Sequence, residues 1–172
     1  MRFSRKIYVI PALIVGFCFP LGIAQEAAQM PCSSPPAAQF DFWLGEWDLT
    51  WSDSLKGSNT INKIMNGCVI LEQFDGHPAM EFRGMSVSVF GNDGKWHQTW
   101  VDNQGGYLDF DGGFSDGKMI LSRQATRGSE TILQRMVFFN ISENELDWDW
   151  QRSDDDGRTW KSLWKIHYDR KK

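Results

Sequence analysis

From Trp43 onward, apolar and polar residues alternate along most of the chain. In Glu46-Trp47-Asp48-Leu49-Thr50-Trp51 the apolar side chains take the odd positions and the polar ones the even. Leu146-Asp147-Trp148-Asp149-Trp150 repeats the alternation. The spacings Trp43–Trp47–Trp51, Trp96–Trp100 and Trp160–Trp164 keep one parity within each segment. A period of two is the signature of strands with one buried face. It predicts about ten strands, at 43–52, 57–66, 68–75, 82–91, 95–102, 106–112, 117–124, 130–140, 145–152 and 159–169. Turn chemistry separates them. Gly91-Asn92-Asp93-Gly94, Ser115-Asp116-Gly117 and Asp154-Asp155-Asp156-Gly157 hold residues that accept positive φ, and Asn66-Gly67 divides the second strand from the third.

Short connections between successive strands predict an antiparallel up-and-down sheet. No helical pattern is long enough for a βαβ crossover, which excludes the common nucleotide-binding α/β folds. The expected fold is all-β: one closed barrel of about ten strands spanning 39–172, with indoles on its inner face. Such interiors hold small apolar ligands.

The N-terminal segment changes the picture of where the protein works. Arg2, Arg5 and Lys6 precede an apolar stretch from Ile7 to Ile23, broken by Pro11 and Pro20. Gly22-Ile23-Ala24 offers small residues for a signal peptidase, so residues 1–24 read as a signal peptide. An exported, periplasmic or secreted domain follows, with no membrane span in the mature chain. Residues 25–38, rich in Pro, Ala, Ser and Gln, read as a flexible arm. Residues 39–42 are expected to form a short helical turn that plugs one barrel end. Cleavage removes three of 18 basic residues and no acid, leaving 15 against 22 and moving the charge from −4 to −7. An acidic domain without a basic stripe argues against nucleic acid and anionic membranes as partners. Cys32 and Cys68 remain as one pair, read as a disulfide in an oxidising compartment. Neither has a second Cys or His at zinc-ligand spacing.

Two sets of motifs carry a resemblance. Phe40-Asp41-Phe42-Trp43-Leu44-Gly45-Glu46-Trp47 contains a Gly-x-Trp that resembles the opening of lipocalins and other calycin barrels. It implies a glycine that lets the chain bend and a tryptophan that closes one barrel end. Gly67-Cys68-Val69-Ile70-Leu71-Glu72, Gly84 to Phe90, Trp96 to Asn103 with Gly105-Gly106, and Asp156-Gly157-Arg158-Thr159-Trp160 follow in order. The series is similar to a family of secreted bacterial domains with a lipocalin-like barrel, whose activity is not settled. A more distant likeness to nitrobindins implies haem bound through a C-terminal histidine, for which His167 lies in the comparable region. Alternation instead directs Trp160, Trp164, Ile166 and Tyr168 inward and leaves His167 outside with Lys161, Lys165 and Asp169. No cofactor is therefore expected.

The candidate lumen residues are Trp51, Glu72, Gln98, Trp100, Asp102, Arg135, Trp148 and Trp150. Trp51 either lines a cavity or belongs to solid core. If Trp96 and Trp100 point inward, Gln98 and Asp102 share their face and need hydrogen-bond partners. Asp102 either faces a pocket or caps the turn at 103–106. Glu72 shares a face with Ile70 and Phe74, but Val69, Leu71 and Gln73 form an equally apolar opposite face. Directed inward, it is expected to pair with Arg135, whose parity Leu133, Val137 and Phe139 share. His77 and His97 are single histidines without metal spacing, and the acidic turn 154–156 lacks a calcium loop's spaced ligands. The expected partner is a small apolar or amphipathic molecule. An enzyme using a buried carboxylate, Glu72 or Asp102, is the alternative, and an exterior docking surface is a third.

Overall fold

The computed structural model describes residues 32–172, so the signal-peptide reading of 1–24 and the first half of the arm, 25–31, lie outside the described residues. Two 3₁₀ turns, Pro35–Ala38 and Asp41–Trp43, lead into ten strands: β1 (Gly45–Trp51), β2 (Leu55–Ile64), β3 (Val69–Asp75), β4 (Arg83–Phe90), β5 (Trp96–Asp102), β6 (Tyr107–Ser115), β7 (Lys118–Arg127), β8 (Glu130–Phe139), β9 (Glu145–Ser153) and β10 (Lys161–Arg170). Each strand pairs antiparallel with its sequence neighbours, and β1 pairs with β10 to close the barrel. All ten fall within three residues of the positions that the alternation predicts.

One end is sealed by the segment before β1. Phe40 stacks on Trp43 at 5.0 Å and meets the edges of Trp96 and Phe138 at 5.3 and 5.2 Å. Trp47 is fully buried and donates its indole N–H to the Trp43 carbonyl at 2.8 Å. The Arg170 guanidinium lies 4.1 Å from the Trp47 ring centre and donates to the carbonyls of Phe42 and Leu44. Gly45, at φ +120°, makes this possible, because a side chain there would run into that guanidinium. The Cys32–Cys68 disulfide is formed and ties the start of this plug to the turn between β2 and β3. Residues 35–38 of the expected flexible arm are folded, with Ala37 buried.

Two departures from simple alternation matter. On β4 the pattern is inverted: Ser86 and Ser88 face inward at 1% and 0% exposure, whereas Met85, Val87 and Val89 face out at 42%, 41% and 38%. On β10 a bulge between Ser162 and Trp164 resets the parity. Trp164, Ile166 and Tyr168 point inward as expected, but Trp160 does not. It lies outside, beneath the Arg135 guanidinium at 3.9 Å, and donates to the Gly157 carbonyl. The wall is also incomplete at one place. β6 pairs with β7 only over 111–115, while β7 continues beside β8 to its end. Arg123 sits at this gap, donating to Gln134 at 2.8 Å, 3.8 Å from Asp109 and 5.8 Å from the centre of the Phe110 ring.

The disulfide closes a long loop, its two cysteines 36 positions apart in the sequence. A chain-entropy argument assigns it about 3–4 kcal/mol. Denaturant unfolding of the Cys32→Ser/Cys68→Ser protein should therefore show a loss of that order, with the barrel's far-ultraviolet dichroism retained. An unchanged midpoint would mean that the plug holds without the crosslink.

Candidate functional site

Ten strands enclose more space than the plug and the inner side chains fill. A cavity of about 210 Å³ remains. Its wall is aromatic: Trp43, Trp100, Trp148, Trp150 and Trp164 line it with Phe74, Phe82, Phe110 and Phe138. The rings lock one another edge-on. Trp164 meets Trp148 at 5.8 Å, Phe74 at 5.8 Å and Trp51 at 5.7 Å, and Trp150 meets Phe110 at 5.6 Å. Trp100 fits because its ring lies over Gly84, the partner of Asp102 across the β4–β5 pair. A Cβ at Gly84 would overlap the Trp100 ring.

One carboxyl is buried in this wall. Glu72 points inward from β3, with Ile70 and Phe74 on its face, and is 6% exposed. Asn59 Nδ2 donates to its Oε1 at 2.7 Å, and Ser86 Oγ donates to its Oε2 at 2.6 Å. The strand register produces these contacts: Ser86 stands directly opposite Glu72 on β4, and Asn59 is two residues from its β2 partner Ile61. Asn59 Nδ2 also reaches the Tyr168 hydroxyl at 3.3 Å. Burial pushes the Glu72 carboxyl up to about 7, against the opposing effect of the Ser86 and Asn59 hydrogen bonds. Burial, and then the nearby Glu72, raises the Tyr168 phenol as well. No Lys, Arg or His lines the cavity.

Five of the eight sequence candidates meet here: Glu72, Trp100, Asp102, Trp148 and Trp150. Asp102 serves both of its readings. It lines the cavity, and its carboxylate caps the following turn, accepting from Gln104 N at 2.9 Å and Gly106 N at 2.8 Å. Its other oxygen accepts from the Trp100 indole at 3.1 Å. Desolvation works against its charge, but the hydrogen bonds from Gly106, Trp100 and Gln104 hold it below the ordinary carboxylate range. Trp51 is buried beside the cavity rather than on it, and lines a shallow depression with Phe82 and Trp164. Gln98 faces inward, yet it donates to Ser88 at 2.9 Å and is not part of the cavity wall.

Arg135 corrects the expectation. It points outward, donates to Gln151 at 2.6 Å and stacks on Trp160, so it cannot neutralise Glu72. The inward parity on β8 belongs to Met136 and Phe138. Met136-Val137-Phe138-Phe139 is apolar on both faces, so alternation alone could not choose between them. The sequence reading also missed Asn59 and Ser86. Their signal was indirect: an inward glutamate needs donors, and the residues opposite it on adjacent strands can supply them.

His167 lies on the outer face, with Nδ1 2.8 Å from Asp147 and Nε2 3.5 Å from Asp169. Hydrogen bonding to Asp147 raises its pKa, against partial desolvation. It presents no nitrogen to the lumen. Neither its direction nor the small cavity fits a haem ligated by this residue.

The raised Glu72 pKa makes a prediction about stability. The folded protein holds this proton up to about pH 7, whereas the unfolded chain releases it near 4.5. Folded Glu72 thus binds more proton than unfolded Glu72 between those values, and stability falls as pH rises through the window. The loss is on the order of 3 kcal/mol, complete above pH 7. Urea unfolding from pH 4 to 8 should show wild type losing about this much relative to Glu72→Gln, and parallel profiles would contradict the burial argument.

Neither a protein-family model nor a curated protein matches the chain.

Proposed function

We propose that this protein is an exported, calycin-like carrier or receptor that holds one compact apolar or amphipathic molecule in its barrel lumen. The observation that carries the reading is the aromatic-walled cavity with one buried carboxyl cluster. Apolar walls gain free energy by shedding water onto a guest, and a few fixed polar groups orient it. A volume of about 210 Å³ lies below the roughly 300–1,000 Å³ of pockets for drug-sized ligands, which favours a small ring or short chain over a whole lipid. The disulfide suits an oxidising compartment, and no helix among the described residues is long and apolar enough to cross a membrane. The Gly45-x-Trp47 closure supports the calycin likeness.

The same carboxyl favours a second reading. A group titrating near pH 7 in an apolar pocket suits a general base, so Glu72 could serve an isomerase or hydrolase. Binding is preferred because Glu72 has no acid partner of matched pKa at the cavity: Asp102 is held ionised and Tyr168 is held neutral.

Filling the cavity tests the binding reading. Leu108 faces inward from β6 and lines the space without belonging to the polar cluster. Leu108→Trp should weaken binding of whatever compact molecule co-purifies, seen by native mass spectrometry and tryptophan emission, at least tenfold. Its thermal midpoint should stay within a few degrees of wild type. Undiminished binding would place the guest outside the lumen.

A further inference from the structure

The polar cluster beside the lumen has neutral hydrogen-bond donors but no positive charge. A carboxylate offers about four lone-pair sites. Glu72 receives two donors, Asn59 Nδ2 and Ser86 Oγ. Asn59 Oδ1, on a fully buried residue bonded to that carboxylate, has no hydrogen-bond partner. No ion pair reaches Glu72 among the described residues. The nearest arginine that sequence parity offered, Arg135, is committed outside the barrel, and Arg123 is held by Gln134 and Asp109 at the β6–β7 gap. The other donors in this wall, the Tyr168 hydroxyl and the Trp43 indole N–H, are neutral, so none brings the positive charge that an ionised Glu72 lacks.

The surrounding wall is suited to the same missing element. Indole faces carry negative potential and attract cations held within about 6 Å. Five indoles line this cavity, and no cationic side chain does. A protonated amine brings donors and positive charge, and a quaternary ammonium brings positive charge alone, each on a carbon body of low polarity. A neutral guest supplies at most a donor. An anionic guest would meet a carboxylate without compensation.

We propose that the lumen selects a compact organic cation, an amine or quaternary ammonium on a small apolar body, and sets its charge against Glu72 inside the ring of indoles. The inference rests on the lumen being the binding site. It makes binding depend on pH with a defined sign. A cation favours the ionised form of Glu72, which the empty cavity disfavours, so binding releases a proton below about pH 7. The groups facing Glu72 do not blur this. Asn59 of β2 and Ser86 of β4 do not titrate, Tyr168 of β10 stays neutral, and Asp102 at the cavity's β5 side stays ionised.

Three benzyl probes separate the possibilities by quenching of tryptophan emission in the purified protein: benzyltrimethylammonium, benzyl alcohol and benzoate. The ammonium keeps its charge at every pH. At pH 8 it should bind at least tenfold more tightly than benzyl alcohol, with benzoate weakest. Its affinity should fall about tenfold per pH unit below 7. Glu72→Gln, which keeps the side chain's shape, should erase the preference and the pH dependence while changing benzyl alcohol binding less than threefold. The wild-type pH profile carries the test if that variant folds poorly. Benzyl alcohol or benzoate binding as tightly as the ammonium, or an ammonium affinity indifferent to pH, overturns the cation and leaves the lumen reading intact. Absence of a response to all three overturns both.

Discussion

Pairing of Trp47–Thr50 with His167–Arg170 closes the sheet, and closure decides everything about the interior. Once β1 meets β10, every inward side chain shares one space with no second layer to fill it. Side chains from ten strands can fill the ends of such a barrel but not all of its middle. Here Phe40, Trp43, Trp47, Trp96 and Phe138 pack the end beneath the plug. The indoles farther along brace one another edge-on and leave a hollow between them. The cavity follows from this division, with large rings at the wall and small serines on the inner face of β4.

Within that hollow the chemistry is set by what does not reach it. Basic residues lie on the outer face, at the plug or at the β6–β7 gap. Glu72 therefore sits among aromatic rings with two neutral donors and no countercharge. Burying a carboxyl this way weakens the fold above neutral pH, a cost that an ordinary glutamine would avoid. The residue makes physical sense as a recognition group whose complement arrives from solution.

Much of the fold was legible in the sequence because period-two alternation and Asn/Asp/Gly turns are local signals. They place ten strands, the hairpins and the plug, and they set the inward faces of β1, β5 and β9. Legibility failed where parity has no local resolution. On β8 the run 136–139 is apolar on both faces, so Arg135 was turned inward and Met136 and Phe138 were overlooked. On β10 a single extra residue at Leu163 reversed Trp160 relative to Trp164. The serines of β4 read naturally as a solvent face, and their burial comes from partners on other strands: Ser86 opposite Glu72, and Ser88 opposite Gln98. Register across strands, which a single sequence does not display, decides those cases. Five of the eight proposed lumen residues converge because they lie on strands whose alternation was unambiguous, or, for Glu72, because an even choice fell the right way.

The central claim is that a carboxyl lies uncompensated in a hollow aromatic interior. The most direct measurement is the titration of the Glu72 side-chain carboxyl carbon by nuclear magnetic resonance in the protein free of any guest. The account predicts a single transition with a midpoint near pH 7. A midpoint in the ordinary glutamate range, close to 4.5, would show that water or a countercharge already occupies the space and would contradict it.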